Sequence, residues 1–209
     1  GGVNMNKLGS YKENDVTFLL KDLSYLTIEQ DNEIREKLKE QGVHYSEMLP
    51  VEYKPKDEYM KQYYKFLEEF GRDMALYTSV LSKRILESKG ENVVLVSLAR
   101  AGTPIGVLIK RYIKEMYNLD LPHYSISIIR DRGIDYNAVK HILNNHPESR
   151  IQFIDGWTGK GAITKELVKS AKFLQDEYNI GIDYDLAVVA DPGYCATIYG
   201  TREDLLIPS

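Results

Sequence analysis

The feature that most constrains the fold is an apolar run followed by glycines and then by a helical pattern, within Arg150–Leu167. Ile151–Ile154 predicts a short buried strand that ends on Asp155. The three glycines of Gly156–Gly161 allow the backbone to approach an anion without a Cβ clash. The helix that opens at Ala162 begins with N–H groups that lack a partner within the helix, and its dipole favours an anion there. This order is typical of a phosphate-binding loop, with an ordinary strand-to-helix turn as the alternative.

The second part of the chain repeats the order strand, loop, helix. Continuous apolar runs predict buried strands, and apolar residues three and four positions apart predict helices. The predicted strands are Val93–Leu98, Tyr124–Ile129, Ile151–Ile154 and Leu186–Ala190, and the predicted helices are Ile105–Tyr117, Tyr136–Asn145 and Ala162–Tyr178. Such a repeat predicts an α/β fold, in which a parallel sheet has flanking helices and right-handed crossovers.

The first part of the chain has helical patterns instead. The predicted elements are helices over Glu13–Leu26 and Asp31–Gln41, a proline-containing loop over Tyr45–Pro55, and one long helix from Asp57 that Gly90 stops. We therefore predict a helical N-terminal cap over residues 1–90 and an α/β core over residues 91–209.

Composition limits the class of function. The chain has 209 residues and a formal net charge of −4, so its charge gives no general attraction to nucleic acid. The single cysteine, Cys195, excludes an internal disulfide and suits a reducing cytoplasm. No apolar run is long enough for a membrane span, and no signal-peptide pattern opens the chain. We therefore expect a cytoplasmic protein that binds neither nucleic acid nor a membrane.

The loops after the predicted strands gather glycines, arginines and carboxylates. In parallel sheets, ligands bind beyond the carboxyl ends of the strands. The four loops at that edge are Ala99–Thr103, Arg130–Asp135, Asp155–Gly161 and Asp191–Thr197. Arginine and carboxylate side chains on one rim suit a ligand that has both phosphates and hydroxyls. For Arg130 and Arg132, a solvated loop with local ion pairs is the alternative.

Three of these loops resemble a known family. The stretches VLVSLARAGTPIGVLIKR, HYSISIIRDRGID and QFIDGWTGKGAI resemble the type I phosphoribosyltransferases. Together with GSYKENDVTFLLKDL and DPGYCATIYGTREDLLIPS, they resemble more narrowly the phosphoribosyltransferase-like proteins of bacterial tellurium-resistance and stress operons, also known as cysteine protease StiP. The resemblance covers nearly the whole chain. Members of that family are longer, so we expect this chain to be a fragment.

The resemblance implies that the donor substrate is 5-phosphoribosyl-1-pyrophosphate, usually with Mg²⁺, and that the acceptor is a molecule the sequence does not identify. The residues implied for donor binding are Ala99, Arg100, Ala101 and Gly102 for pyrophosphate, Thr158, Gly159, Lys160, Gly161 and Ala162 for the 5′-phosphate, and Gly156 and Trp157 in the same loop. Asp155, Arg130 and Arg132 are the implied catalytic residues. Breaking the anomeric bond builds positive charge on the sugar and negative charge on pyrophosphate, which a carboxylate and arginines stabilise. Mg²⁺ would be held mainly by the substrate, with Asp155 as a candidate ligand.

Departures from the family pattern leave two alignments of the phosphate loop open. Type I motifs usually place two adjacent acids before this loop, whereas Asp155 is followed by Gly156. The interval from the acid to Thr158 is also short. An ungapped match would align Gly161 with the loop glycine of the family and make Thr164 the late hydroxyl. Both alignments keep the acid and Gly161 in the site, and the missing acid affects catalysis more than phosphate binding.

Residues beyond the donor loops are candidates for an acceptor pocket covered by the helical cap. Asp191 and Tyr194 lie where relatives contact the attacking base. Trp157 is either a hydrophobic anchor folded onto the sheet or an aromatic wall for the acceptor. Cys195 as a nucleophile would need a nearby histidine, and nothing in the sequence pairs it with His44, His123, His141 or His146. A buried, unreactive thiol is the alternative.

Three functions follow from these observations. The first is a Mg²⁺-dependent phosphoribosyltransferase, the second a non-catalytic module that binds phosphoribosyl ligands or nucleotides, and the third a cysteine protease. The expected partners are a small-molecule phosphoribosyl donor and an unidentified acceptor, with a second copy of the chain in a homodimer as an open alternative.

Overall fold

The computed structural model describes residues 15–20, 51–53, 57–129, 133–158, 161–191, 196 and 198–202. The elements in these ranges are β1 (Thr17–Leu20), β2 (Val51–Tyr53), α1 (Asp57–Lys89), β3 (Val93–Leu98), α2 (Gly102–Tyr117), β4 (His123–Ile126), β5 (Ile128–Ile129), β6 (Gly133–Ile134), α3 (Tyr136–Asn145), β7 (Arg150–Trp157), α4 (Ala162–Tyr178), β8 (Leu186–Ala190) and β9 (Ile198–Thr201). None of the helices in these ranges is both long and apolar enough to cross a membrane.

One sheet organises the described part of the chain. Its strand order is β2-β1-β4-β3-β7-β8-β9, and β5 pairs with β6 in a separate antiparallel hairpin. Six strands of the large sheet are parallel to their neighbours, whereas β2 runs antiparallel to β1 at one edge. The central strands β3 and β8 are buried along their whole length. The predicted α/β fold with a parallel sheet and flanking helices is therefore confirmed.

Helices cover both faces of the sheet, which gives two hydrophobic cores. One core contains residues of α1 and α2, such as Ile85 and Ile105, and the other contains residues of α3 and α4, such as Ile142 and Leu167. Neighbouring residues of β7 belong to different cores, because successive side chains of a strand point to opposite faces. Apolar runs without alternation are expected for strands that are covered on both sides.

The prediction of a helix over Glu13–Leu26 is wrong for Thr17–Leu20, which forms β1 between β2 and β4. The apolar residues there fit a helical period, but a run that short fits a buried strand equally well. Phe18 and Leu19 are buried in opposite cores, an arrangement that adjacent residues achieve in a strand. Pairing with two neighbouring strands therefore decided the conformation.

Other element boundaries also differ from the predictions. The strand Val51–Tyr53 lies inside the predicted loop Tyr45–Pro55, and β9 was not predicted. The predicted strand Tyr124–Ile129 is divided into β4 and β5. The predicted helix Asp31–Gln41 lies outside the described residues. The described part of the first 90 residues adds two strands to the sheet as well as the long helix α1, and the division of the chain at residue 90 stays a prediction.

Candidate functional site

The candidate site lies at the carboxyl edge of the sheet, where β7 ends between β3 and β8. β7 continues past the predicted end to Trp157, so that Asp155 and Trp157 pair with Val188 and Ala190 of β8. Residues two apart in a strand point to the same face, which here is the face covered by α3 and α4. Asp155 is half-buried and Trp157 is 43% exposed. An acid and an exposed aromatic side chain therefore lie side by side at this edge.

The carboxyl group of Asp155 is held in an environment that favours its protonated form. Burial raises its pKa from 3.8 to about 7, although the Gly156 N–H, which donates to Oδ1 at 2.8 Å, acts in the opposite direction. The described residues contain no group of three His, Cys, Asp or Glu side chains that could hold a metal ion. A Mg²⁺ ion commonly uses one or two carboxylates together with substrate phosphates and water. The described side chains therefore fit a metal ion only if a bound phosphate-containing molecule and water supply most of the atoms that coordinate it.

The loop Ala99–Gly102 packs directly against β7. A Cβ atom at Gly102 would lie 2.4 Å from the carbonyl oxygen of Ile154 and 3.1 Å from Cα of Asp155, so only glycine permits this approach. Arg100 is exposed on this loop, and the peptide bond that precedes it is cis. α2 begins in the same loop and has no side-chain cap at its N-terminus. The loop thus brings a second set of backbone amides next to the acid.

The N-terminus of α4 follows the end of β7 in the chain. Gly161 precedes the helix with φ +87°, and no side chain of the described residues caps it. The N-terminus of α3, by contrast, is capped by Asp135, which accepts a hydrogen bond from the Ala138 N–H at 3.1 Å. Ala162, the first residue of α4, is exposed, whereas the hydroxyl oxygen of Thr164 is buried and has no hydrogen-bond partner in the described structure. The first turn of α4 therefore offers unpaired donors to an anion.

Thr158 is committed to contacts within the protein. Its N–H donates to the carbonyl oxygen of Ala190 at 3.0 Å, and its hydroxyl donates to the carboxylate of Asp191. Only 4% of the residue is exposed. A ligand held by the Thr158 amide or hydroxyl would have to displace these contacts, and both alignments of the phosphate loop stay predictions.

Asp191 lies inside the protein rather than on the rim. The residue is fully buried, and its second carboxylate oxygen accepts the Ala196 N–H at 3.1 Å and lies 3.6 Å from Nε of Arg202. Its own N–H donates to the carbonyl oxygen of Thr201 at 2.8 Å. These contacts join the segments that follow β7, β8 and β9. Contact between Asp191 and an acceptor stays a prediction, and the geometry points to a structural role for its carboxylate.

The hairpin of β5 and β6 is attached to α4. The Ile134 N–H donates to Oγ of the buried Ser170 at 3.2 Å. Gly133 has φ +86°, and a Cβ atom there would lie 2.5 Å from the same hydroxyl. The β6 strand of the hairpin is therefore bonded to α4, and Arg130 and Arg132 fall between the two strands in the sequence, outside the described residues.

The structure places Asp155, Trp157, the loop Ala99–Gly102 and the start of α4 at the carboxyl edge of the sheet. The prediction that Gly156 and Trp157 lie in the glycine loop is wrong, because both continue β7 and Trp157 pairs with Ala190. The predicted site residues outside the described ranges are Arg130, Arg132, Gly159, Lys160 and Tyr194, and Cys195 lies there too; their roles stay predictions. Two residues were missed. Ser170 could have been identified as a serine on the apolar face of a predicted helix. No sequence feature pointed to Arg202, because β9 was not predicted.

His123 lies away from this edge, at the start of β4. Its Nε2 is 2.7 Å from Oγ of Ser97, and its Nδ1 is 2.8 Å from the carbonyl oxygen of Asp15. Burial lowers its pKa to about 4. The interpretation of His123 as a structural residue therefore agrees with its surroundings.

Comparison with known families gives one match that spans almost the whole chain. The model of the family described as "Tellurite-like stress resistance cysteine protease StiP" matches residues 9–209. The protein named "Cysteine protease StiP" from Acinetobacter baylyi is 39% identical over 202 residues, which are 96% of this chain and 51% of that protein. This chain thus spans about half the length of the curated relative it matches.

Solved structures with a similar fold include two bacterial enzymes. The xanthine-guanine-hypoxanthine phosphoribosyltransferase of Helicobacter pylori is 17% identical, with a TM-score of 0.41 over 68% of this chain and 84% of that chain. A hypoxanthine phosphoribosyltransferase from Staphylococcus aureus is 11% identical, with a TM-score of 0.45 over 64% of this chain and 76% of that chain.

Proposed function

This chain belongs to the StiP family of tellurite-like stress resistance proteins, and we propose that its carboxyl-edge site binds a phosphoribosyl donor and transfers the phosphoribosyl group to an acceptor. The observation that supports this proposal most directly is the position of Asp155. Asp155 lies near the end of β7, beside Gly102 at the start of α2, and α4 follows β7 in the chain; neither helix has a side-chain cap among the described residues. The substrate class is a sugar that has a phosphate at each end and hydroxyls between them.

The roles of the residues follow from the charges of such a substrate. The amides at the start of α4 and the Thr164 hydroxyl would hold the 5′-phosphate, because they are donors that the protein leaves unpaired. The amides of Arg100, Ala101 and Gly102 would hold pyrophosphate, with the Arg100 side chain exposed beside them, whereas the Ala99 N–H donates to the carbonyl oxygen of Ile126 at 2.9 Å. Asp155 would accept hydrogen bonds from the ribose hydroxyls through its remaining oxygen.

Catalysis would rest on positioning and on charge. As the bond at the anomeric carbon breaks, positive charge grows on the sugar next to Asp155, and negative charge grows on pyrophosphate next to the amides of α2. Arg130 and Arg132 are proposed to add cations on the leaving-group side. Mg²⁺, held by the substrate and at most one oxygen of Asp155, would neutralise pyrophosphate further. The exposed ring of Trp157 is a candidate surface for a flat acceptor.

The proposed binding of a phosphoribosyl group is tested with two ligands, ribose 5-phosphate, which has the sugar and the phosphate, and inorganic phosphate, which lacks the sugar. We expect ribose 5-phosphate to raise the melting temperature by mass action, and inorganic phosphate to do so more weakly. Asp155→Asn should weaken binding of ribose 5-phosphate and leave binding of inorganic phosphate unchanged, because only the sugar reaches the carboxyl group. Equal loss for both ligands would show that Asp155 does not contact the sugar.

The alignment of the phosphate loop is tested at Thr164. Thr164→Val keeps the shape of the side chain and removes the hydroxyl, whereas Thr164→Ser keeps the hydroxyl. We expect the valine variant to bind ribose 5-phosphate roughly tenfold more weakly, as for loss of one hydrogen bond to a charged group, and the serine variant to bind it nearly normally. Normal binding by the valine variant would favour the alignment through Thr158.

Turnover separates an enzyme from a binding module. We expect pyrophosphate to appear when 5-phosphoribosyl-1-pyrophosphate, Mg²⁺ and a panel of nucleobases and amines are supplied, and Asp155→Asn to abolish it. In this chain Gly156 stands where type I motifs usually have the second acid. This difference favours the alternative of a non-catalytic module that binds phosphoribosyl ligands or nucleotides. That alternative predicts a raised melting temperature and no pyrophosphate with any acceptor in the panel.

The name of the Acinetobacter baylyi relative suggests a third function, proteolysis by a cysteine. In this chain Cys195 is the single candidate nucleophile. If this function holds, Cys195→Ala abolishes cleavage of a longer form of the protein or of a test substrate. Cleavage that persists in the variant would remove Cys195 from the proposal.

A further inference from the structure

A strip of buried polar side chains lies between the sheet and the first two turns of α2. His123 and Ser125 of β4 and Ser97 of β3 belong to it, and all three are buried. His123 and Ser97 are paired, with Nε2 2.7 Å from Oγ. Thr103, the second residue of α2, is fully buried, and its hydroxyl oxygen lies 2.8 Å from Oγ of Ser125. The strip therefore ends with a hydroxyl pair, Thr103 and Ser125, next to the loop Ala99–Gly102.

Two glycines bring the start of α2 close to the strands. A Cβ atom at Gly102 would overlap with the carbonyl oxygen of Ile154 on β7, and a Cβ atom at Gly106 would overlap with the side chains of Ser97 and His123. These contacts limit how near the helix lies to the sheet, but they do not fix its rotation about its own axis. A hydrogen bond, by contrast, has a preferred direction. The bond within the hydroxyl pair is therefore a contact that can fix which way the first turn of α2 faces.

Stability alone does not require a pair of hydroxyls at this position. Two buried hydroxyls that bond to each other have given up their bonds to water, so the net contribution of the pair to folding is small. Replacing both partners with apolar groups of similar shape can be nearly neutral, whereas replacing one of them leaves a buried hydroxyl without a partner. The direction that the hydrogen bond gives to α2 is therefore a better reason for a polar pair in this core.

We propose that Thr103 and Ser125 are positioning residues, which orient the start of α2 so that its amides converge on the pyrophosphate end of the donor. The Thr103 N–H donates to the carbonyl oxygen of Arg100 at 3.1 Å, and the Ala99 N–H donates to that of Ile126 at 2.9 Å, so both ends of the loop are held. The amides between these ends are those proposed above to hold pyrophosphate. A misplacement of about 1 Å in such a site can slow a reaction on the order of a hundredfold. The inference rests on the proposed function.

Four variants separate positioning from packing. Thr103→Val removes one hydroxyl at nearly constant shape, Ser125→Ala removes the other, the double variant removes both, and Thr103→Ser keeps the pair. We expect the two single variants that lose a hydroxyl to melt several degrees below the wild type, and the double variant to melt closer to it, because no unpaired hydroxyl remains. Thr78→Val is the matched control, since Thr78 is a buried threonine of α1 whose hydroxyl donates to the carbonyl oxygen of Met74 at 2.8 Å.

Binding is measured by calorimetry in two steps. The protein is first saturated with ribose 5-phosphate, which would occupy the start of α4, and is then titrated with inorganic pyrophosphate and Mg²⁺. We expect Thr103→Val and Ser125→Ala to bind pyrophosphate roughly tenfold more weakly, as for loss of one well-directed hydrogen bond. The double variant should stay at that weaker level although its melting temperature recovers. Thr103→Ser and Thr78→Val should bind pyrophosphate nearly as the wild type does, and all variants should bind ribose 5-phosphate normally.

The two ligands distinguish failure of this inference from failure of the proposed function. If the wild type binds pyrophosphate and the double variant regains this binding together with its melting temperature, the hydroxyl pair only packs the core and the inference is wrong. Unchanged pyrophosphate binding in the single variants, or an equal loss of both ligands, refutes it as well. If the wild type binds ribose 5-phosphate but no pyrophosphate, the pyrophosphate site of the proposed function is refuted and the inference fails with it. If the single variants do not fold, the double variant and Thr103→Ser decide between these outcomes.

Discussion

Asp155→Asn should make the folded protein more stable at alkaline pH, although it damages the proposed site. In the wild-type protein the pKa of Asp155 is about 7, against 3.8 in an exposed carboxyl group, because burial disfavours the charge. A group whose pKa is raised by folding contributes stability below its unfolded pKa, and this contribution is lost as the pH rises through the folded pKa. The wild-type protein therefore loses stability between pH 3.8 and about 7. The Asp155→Asn variant does not lose this stability, because asparagine does not ionise.

The size of the effect follows from the pKa. At about 1.4 kcal/mol for each pH unit, a rise from 3.8 to about 7 corresponds to roughly 4 kcal/mol. Asp155 keeps some contact with water, which reduces this figure, and we expect about 2 kcal/mol. The asparagine oxygen can still accept the Gly156 N–H, so the local backbone is retained. A binding residue whose removal stabilises the fold is a common trade-off at functional sites.

The assay is urea unfolding of both proteins at pH 4 and pH 8, with the free energy of unfolding extrapolated to zero denaturant. At each pH, the free energy of unfolding of the wild type is subtracted from that of the variant, and the difference at pH 8 is compared with the difference at pH 4. Asp183→Asn is a control of opposite sign, because Arg150 holds the pKa of Asp183 below its usual value. It should destabilise at pH 8 and almost as much at pH 4, because a carboxyl group with a lowered pKa loses its contribution only below pH 3.8. If Asp155→Asn is less stable than the wild type at pH 8, or shows the same difference at both pH values, the described environment of Asp155 is refuted.

Two further predictions concern buried positions. Gly102→Ala should lower the free energy of unfolding by about 1–3 kcal/mol and weaken binding of ribose 5-phosphate, because its Cβ would meet the Ile154 carbonyl oxygen at 2.4 Å. Gly90→Ala is the control, since a Cβ there meets nothing within 4 Å and only the positive φ is unfavourable. It should lower the free energy of unfolding by about 1 kcal/mol and leave binding of ribose 5-phosphate unchanged. Because burial lowers the pKa of His123 to about 4, stability should fall by up to about 3 kcal/mol as the pH drops from 6.5 to 4, and a His123→Gln variant should show a flatter profile in urea titrations.

The sequence predicted the centre of the fold better than its edges. The strands β3, β7 and β8 and the helices α2, α3 and α4 are long enough for their period to be read, and they were predicted within a few residues. The strands β1, β2 and β9 have three or four residues each. Runs that short do not establish a period, and their conformation depends on a neighbouring strand that a local pattern does not contain. The hairpin of β5 and β6 is shorter still.

The candidate site was predictable where backbone chemistry defines it. Glycines before a helix and an acid at the end of a strand are local signals, and they placed Asp155, Gly102 and Gly161 at one edge. The commitment of Thr158 to Ala190 and Asp191 was not predictable, since it depends on how β8 pairs with β7. The same reason explains why the sequence suggested an exposed role for Asp191. A polar side chain at the end of a central strand can face the ligand or the next loop, and only the tertiary structure decides between them.

The surroundings of the described histidines bear on how a cysteine protease could work, because a thiol nucleophile needs a base within hydrogen-bond reach. His123 is buried, and both of its ring nitrogens contact protein atoms. His146 ends α3 shortly before β7 starts, with its Nε2 2.8 Å from the hydroxyl of Tyr124. His141 lies one turn earlier in the same helix, with its Nε2 3.1 Å from Nδ2 of Asn145.

His44 is the remaining histidine of this chain and lies outside the described residues, and it is our candidate base for a catalytic Cys195. If the thiol is catalytic, His44→Ala should abolish cleavage as completely as Cys195→Ala, while His141→Ala should leave the rate near that of the wild type. The readout is cleavage of a longer form of the protein, followed by gel electrophoresis. Cleavage that survives His44→Ala but not Cys195→Ala would refute the assignment of His44 as the base.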